Sequence, residues 1–111
     1  MKILVTGGLG FIGLNFIKFL LKKSHKIINL DKITYASNIE SKYLKNFRNY
    51  NFFKVDISKK NKAFKIFKKI KPDAIINFAA ETHVDRSIIN SRQFIKSNIM
   101  GTHELLEVCR Y

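Results

Sequence analysis

The chain of 111 residues has one cysteine, one proline, no tryptophan and only 8 acidic residues. A single cysteine, Cys109, excludes an internal disulfide and offers no metal-ligand spacing, which fits a reducing compartment. No apolar stretch approaches the length of about 18 residues that a membrane span needs. The first strand-like residues reach Thr6 and Gly7 too soon to form the apolar core of a signal peptide. These absences predict a cytoplasmic protein with no membrane association.

The shortage of acidic residues against 21 Lys and Arg leaves a formal net charge of +13. Such a charge raises nucleic acid or an anionic membrane as a partner. Lys far outnumbers Arg, however, and the chain is also rich in Ile, Asn and Phe, which favours a codon bias as the origin of the charge. The lysines at 59–69 surround apolar Phe64, Phe67 and Ile70, which predicts the solvated face of a helix. The sequence therefore argues against a nucleic-acid partner.

Aliphatic runs and helical periodicities alternate along the chain. Four short aliphatic runs are typical of buried parallel strands, at 2–6, 26–30, 51–55 and 73–80. Apolar residues at helical spacing predict helices at 11–22, 60–70 (ended by Pro72) and 91–110. Residues 32–50 predict mainly loop, with a short helical turn near 41–47. This order predicts an α/β fold, a partial Rossmann-type doubly wound parallel sheet with strand order 3-2-1-4.

Four of the five glycines lie at positions 7, 8, 10 and 13, directly after the first predicted strand. Gly8, Gly10 and Gly13 fit the pattern G-x-G-x-x-G, while Gly7, Gly10 and Gly13 fit the wider G-x-x-G-x-x-G. A tight strand-to-helix turn needs a residue that tolerates positive φ, and a pyrophosphate must approach bare backbone. A strand before the loop and a helix after it therefore predict a dinucleotide site at the helix N-terminus.

Two acidic residues follow predicted strands at the same edge of the sheet. Asp31 ends the second strand, where a carboxylate accepts hydrogen bonds from the adenosine ribose hydroxyls and repels a 2′-phosphate. This favours NAD over NADP, although the neighbouring Lys32 leaves some room for NADP, and Asp31 capping the following loop is an alternative. Asp56 follows the third strand and could bond the adenine amine, or instead cap the start of the next helix.

Four segments together resemble the dTDP-glucose 4,6-dehydratases of the extended short-chain dehydrogenase/reductase family, an NAD-dependent epimerase/dehydratase group. The segments are 6–13, 31–36, 56–57 and 78–87. The resemblance runs over essentially the whole chain, and the segments beginning at Asp31 and Glu81 are the most specific. Related sugar-nucleotide epimerases and decarboxylases share the glycine loop but differ in those two segments.

The resemblance implies where each part of the cofactor would lie. Residues 11–12 would touch the pyrophosphate, 31–34 the adenosine ribose, 56–57 the adenine, and 78–82 the nicotinamide half. The implied NAD-binding residues are Gly7, Gly10, Phe11, Ile12, Gly13, Asp31, Lys32, Ile33, Thr34, Asp56, Ile57, Phe78, Ala79, Ala80, Glu81, Thr82 and Ser97. Thr82 would also face the sugar substrate. Ser37 and Thr82 stand where the family usually has glycine and serine. His83 and Asp85 lack a third ligand, so no metal site is expected.

In this family the hydride and proton chemistry depends on a Tyr-x-x-x-Lys pair. We expect that pair to lie outside residues 1–111, which would then form the N-terminal part of an NAD-binding Rossmann domain without its catalytic and substrate-binding remainder. The resemblance implies conversion of dTDP-glucose to dTDP-4-keto-6-deoxyglucose by the complete enzyme, not by the isolated chain. A free-standing, non-catalytic dinucleotide-binding module is the alternative. An open edge at the fourth strand weighs against this alternative, because it predicts marginal stability or aggregation of the chain alone.

Overall fold

The structure is a computed structural model that describes residues 1–33, 37, 39–81 and 84–110. Its centre is a parallel sheet of four strands in the order β3-β2-β1-β4. The strands are β1 (Lys2–Thr6), β2 (Lys26–Asp31), β3 (Tyr50–Lys54) and β4 (Ala74–Asn77). The predicted partial Rossmann-type sheet and its strand order are confirmed. Because all strands run the same way, their carboxyl ends meet at one edge.

Helices follow the strands closely where the sequence predicts them. Helix α1 (Phe11–Leu21) follows β1, and α2 (Lys60–Ile70) follows β3. A 3₁₀ helix (Ile39–Asn46) precedes β3, where only a short helical turn is predicted. Helix α1 connects the neighbouring strands β1 and β2, whereas α2 connects β3 and β4, which lie at opposite edges of the sheet.

The last third of the chain departs from its prediction in three places, the first of which is β4, since this strand ends at Asn77 and not at residue 80. An extra helix, α3 (Val84–Ile89), lies where the sequence predicts none, because six residues are too few to show a helical period. The predicted helix over 91–110 is present but changes its winding: α4 (Ser91–Phe94) leads into a π helix (Ile95–Met100) and then α5 (Gly101–Cys109). Periodicity over a long window does not reveal such a local widening.

The alternation of side chains along the strands divides the core between two faces of the sheet. On one face, Ile3 and Val5 of β1 pack with Leu14 and Ile17 of α1. On the other face, Leu4, Ile28 and Leu30 pack against Ala63 of α2, which the partly buried Phe67 also joins. Each fully buried Leu or Ile contributes roughly 1.5–3 kcal/mol of hydrophobic free energy. Burial on both faces explains why no charged residue lies between the ends of β1 or of β2.

Candidate functional site

A cleft lies at the carboxyl edge of the sheet, between the loops that follow β1, β2, β3 and β4. Its empty volume is about 550 Å³, including space that is open to solvent. The residues that line it are Gly7, Gly10, Leu30, Asp31, Lys32, Ser37, Val55, Asp56, Ile57, Phe78, Ala79, Ala80, Glu81 and Ser97. Eleven members of the predicted set, drawn from segments far apart in sequence, therefore line one cleft. Ligands of open parallel α/β sheets bind at this edge.

The glycine loop that follows β1 is packed too tightly for side chains. Gly7 has a φ of 67°, and a Cβ there would lie 2.5 Å from the Ala79 nitrogen. A Cβ on Gly13 would lie 2.4 Å from the Gly7 oxygen, and a Cβ on Gly8 would lie 2.3 Å from Asn29 Oδ1. The fold thus requires glycines from both candidate spacings. An added Cβ at Gly7, Gly8 or Gly13 would clash with a different neighbour in each case.

Gly10 differs from the other loop glycines because a Cβ there would fit without a clash. The nearest heavy atom to a Cβ at Gly10 is the Gly7 oxygen, at 3.4 Å. Gly10 is also the N-cap of α1, which has no side-chain cap and no acidic residue in its first turn. The backbone N–H groups and the positive end of the α1 dipole are therefore available to an anion. Phe11 and Ile12 themselves are 74% and 66% exposed.

A buried asparagine that the sequence analysis does not single out supports this loop from behind. Asn29 of β2 is 0% exposed. Its Oδ1 accepts a hydrogen bond from Gly8 N at 3.0 Å, and its Nδ2 donates to Tyr50 Oη at 3.0 Å. The sequence does carry a signal for this role: Asn29 is an amide side chain inside the aliphatic run of β2, and a buried polar group needs hydrogen-bond partners. Asn29 therefore ties the loop after β1 to the start of β3.

Asp31 holds the loops on both sides of it. Its Oδ2 accepts from Leu9 N at 3.0 Å and its Oδ1 from Ile33 N at 2.8 Å. Ile33 has a positive φ of 60°, so this second bond fixes a turn that an isoleucine disfavours. The loop-capping alternative is thus present in the structure. A carboxylate oxygen has two lone pairs, so capping leaves acceptor capacity toward the cleft.

Asp56 caps the turn before α2 rather than α2 itself. Its Oδ1 accepts from Ser58 N at 3.0 Å and from Ser58 Oγ at 2.7 Å, whereas the N-cap of α2 is Lys59 and has no side-chain bond. Burial acts to raise the pKa of the Asp56 carboxyl. The Ser58 hydrogen bonds and the charges of Lys32 and Lys96 outweigh burial, so the pKa lies below its ordinary value. Asp56 is therefore an anion at the cleft wall.

The segment after β4 forms the opposite wall and is held by a second residue that sequence reasoning misses, Asn98. Asn98 Oδ1 accepts from Glu81 N at 2.7 Å, and Asn98 Nδ2 donates to the Glu81 oxygen at 2.9 Å. Ala79 N donates to Thr6 Oγ1 at 3.3 Å. Across the cleft, Lys32 Nζ donates to Ser97 Oγ at 3.1 Å and lies 3.6 Å from Glu81 Oε1. These residues are far apart in the sequence, so no spacing motif predicts their contacts.

The remaining predicted residues are placed differently. Ile33 lines a separate cavity beside the 3₁₀ helix, and Gly13 lies inside α1. Thr34 and Thr82 lie outside the described residues, as do His83 and the side chain of Asp85. Within the described ranges, no three His, Cys, Asp or Glu side chains group as metal ligands. No helix in the part of the chain that the structure describes has the length and hydropathy of a membrane span.

The expectation about the catalytic pair needs a correction, because one Tyr-x-x-x-Lys spacing does occur, at Tyr50 and Lys54. Both residues lie on β3, where positions four apart are separated by about 13 Å. Tyr50 is buried and bonded to Asn29. Burial, the largest cause, and the charge of Asp31 raise the pKa of the Tyr50 phenol against that hydrogen bond, the wrong direction for a base. The spacing is present, but it forms no acid–base pair.

This sheet, its glycine loop and its carboxyl-edge cleft define a Rossmann-type dinucleotide-binding fold. The sequence model of the family described as GDP-mannose 4,6 dehydratase matches residues 4–111, and the chain belongs to this family. Among curated relatives, dTDP-glucose 4,6-dehydratase of Salmonella typhimurium is 46% identical over 112 residues, and the match covers 99% of this chain and 31% of the relative. That of Haemophilus influenzae is also 46% identical, with 99% and 33% covered.

Solved structures give the same result for the fold. The UDP-Glc/GlcNAc 4-epimerase of Campylobacter jejuni superposes with a TM-score of 0.89 at 35% identity, over 97% of this chain and 33% of that one. The dTDP-glucose 4,6-dehydratase of Bacillus anthracis in complex with NAD gives 0.85 at 38% identity, over 99% and 34%. The predicted resemblance is confirmed. The chain spans about a third of the length of the relatives it matches.

Proposed function

We propose that this chain binds NAD in the carboxyl-edge cleft and is the cofactor-binding portion of a sugar-nucleotide dehydratase that acts on dTDP-glucose in the cytoplasm. The observation that carries the proposal is the open face of Gly10 at the uncapped N-terminus of α1, where a Cβ would meet nothing closer than 3.4 Å. The bare backbone and helix dipole at that point suit a pyrophosphate. When bound, NAD supplies a hydride acceptor.

The walls of the cleft supply the remaining groups. Asp31, fixed by Leu9 N and Ile33 N, would accept hydrogen bonds from the adenosine ribose hydroxyls. Asp56 and Ile57 would flank the adenine, while residues 78–81 would border the nicotinamide half from the opposite wall. Thr34 and Thr82 belong to the proposed set by resemblance, Thr82 also facing the sugar. A free carboxylate at Asp31 favours a ribose over its 2′-phosphate.

We assign NAD binding to these 111 residues and the reaction on the sugar to the complete enzyme. The names of the relatives at 46% identity support dTDP-glucose as the substrate of the complete enzyme. Within these 111 residues, the one Tyr-x-x-x-Lys spacing lies on β3 with its tyrosine buried, so we assign these residues cofactor binding and not the acid–base step. The excess of lysine is assigned no nucleic-acid partner, since the α2 lysines form the outer side of a packed helix.

The test is a calorimetric titration of NAD into the chain and into Gly10→Ala. We expect saturable binding by the unsubstituted chain and a loss of about tenfold or more in Gly10→Ala, because a methyl group would stand where the pyrophosphate approaches. The melting temperature should change little, since the added Cβ meets ordinary van der Waals contact at 3.4 Å.

Lys69→Ala, on the exposed face of α2, is the matched control and should bind NAD like the unsubstituted chain. Equal NAD affinity in Gly10→Ala, with circular dichroism showing both proteins folded, would contradict the assignment of the pyrophosphate to this loop. A folded chain that does not take up NAD at all would overturn the proposed function.

A further inference from the structure

The position of Lys32 in the sequence does not show whether this residue favours NAD or NADP. It directly follows Asp31, where a basic side chain could neutralise the carboxylate or receive a 2′-phosphate. In the structure the ammonium group points elsewhere. Lys32 Nζ lies 3.1 Å from Ser97 Oγ and 3.6 Å from Glu81 Oε1, both on the opposite wall of the cleft. We call these three side chains the Lys32 clasp.

The clasp is built from well-supported groups. Glu81 is 8% exposed and Ser97 is 7% exposed, so the partners of Lys32 are fixed in the protein interior. The backbone of Glu81 is held by Asn98 through bonds of 2.7 and 2.9 Å. A partly desolvated ion pair with an additional hydrogen bond is stronger than a pair on an open surface. These contacts therefore stabilise the Lys32 ammonium group at this position.

The side chain of Asp31 is bonded by backbone groups instead. Its two oxygens accept from backbone N–H groups of Leu9 and Ile33, which carry no net charge. Within the described ranges, no ion pair is formed between Asp31 and a basic side chain. The cleft thus presents a carboxyl group at the proposed ribose position, while the neighbouring Lys32 ammonium group is paired with Glu81.

We propose that the Lys32 clasp is a specificity-determining device: Glu81 and Ser97 hold the Lys32 ammonium away from Asp31, so that the cleft selects a dinucleotide with a free ribose 2′-hydroxyl and rejects one with a 2′-phosphate. The inference rests on the proposed NAD site. It adds that the choice between NAD and NADP depends on residue 81, fifty positions from the residue that meets the ribose.

The first arm of the test needs no nucleotide. Acetylation of each lysine is followed by peptide mass spectrometry, with the exposed Lys54 as the internal reference. We expect Lys32 to react about tenfold more slowly than Lys54, as a charge-assisted hydrogen bond of this strength implies. In Glu81→Gln the two rates should approach each other, and Ser97→Ala should give a smaller increase. Equal rates in the unsubstituted chain would overturn the proposal.

The second arm compares the ratio of NADP to NAD affinity. Glu81→Gln should raise this ratio about tenfold, and adding Lys32→Met should abolish the gain, because the freed ammonium is what receives the phosphate. Glu107→Gln, which removes one carboxylate from α5, controls for net charge and should leave the ratio unchanged. A gain that survives Lys32→Met, or one that Glu107→Gln reproduces, would overturn the proposal.

The two arms also separate this inference from the proposed function. If the unsubstituted chain is folded, protects Lys32 and binds neither dinucleotide, the NAD site is wrong and the clasp loses its role in cofactor choice. If the chain binds NAD but Glu81→Gln leaves the affinity ratio unchanged, the NAD site stands and only the clasp is refuted.

Discussion

The strands β2 and β4 bring residues to the same cleft from very different positions in the sheet. β2 is hydrogen-bonded to β1 on one side and to β3 on the other, and five of its six residues are buried. β4 pairs with β1 and forms the edge of the four-stranded sheet, and none of its four residues is buried. One wall of the cleft therefore follows a buried central strand, and the other follows a less buried edge strand.

The residues that follow the two strands compensate for this difference in different ways. Asp31 is the last residue of β2, and its position follows from the sheet itself. The residues after β4 take theirs from side-chain hydrogen bonds, through Thr6 to Ala79 and through Asn98 to Glu81. The adenosine wall is thus fixed by the sheet, whereas the opposite wall depends on a few polar contacts with Thr6 of β1 and Asn98 of the π helix.

The largest expected effect compares two isoleucines in one apolar cluster. Ile28 of β2 is 1% exposed, and Ile75 of β4 packs on the same face but is only partly buried. Ile28→Ala should lower the free energy of unfolding by about 3 kcal/mol and Ile75→Ala by about 1 kcal/mol, because truncation costs most where burial is complete. Urea denaturation measures both. Equal losses would show that β4 is packed as well as β2.

An intermediate effect is expected when the polar support of the opposite wall is removed. Asn98→Ala deletes two hydrogen bonds to the backbone of Glu81 and should cost about 1–2 kcal/mol. Hydrogen exchange at Glu81 N should accelerate, while exchange at Leu9 N, which donates to Asp31, should stay unchanged. Arg110→Gln, at the exposed end of the same helical segment, is the control. Unaltered exchange at Glu81 N would mean that other contacts hold this wall.

The smallest expected effect is a change in the pKa of Asp56, on the cleft wall that would contact the adenosine. The pKa of Asp56 is lowered in the folded state, so its stabilising contribution is present above the ordinary value of 3.8 and is lost as the pH falls through the lower, folded value. Ser58→Ala removes one of the hydrogen bonds responsible and should raise the pKa of Asp56 toward 3.8. Carbon-13 NMR of the Asp56 carboxyl measures this directly. An unchanged pKa would assign the shift to the Ser58 N–H group, Lys32 and Lys96.

The sequence predicts most of the sheet because strand length, helical period and glycine spacing are local signals. Eleven residues of the predicted set line the cleft. The glycines and the two acids follow from local motifs, and the others follow from the family resemblance. The sequence does not identify Asn29 or Asn98. Both act by bonding the backbone of a residue far away in the chain, and no local pattern reports such a partner.

The sequence by itself determined the parallel fold, the glycine loop and the acid at the end of β2, since each depends on residue types within a few positions. Only the tertiary structure decided which groups those residues face. It placed Tyr50 in the core, where its spacing to Lys54 has no acid–base meaning, and it turned Lys32 from its neighbour Asp31 toward Glu81. Burial and charge pairing depend on distances in space, which the order of residues along the chain does not fix.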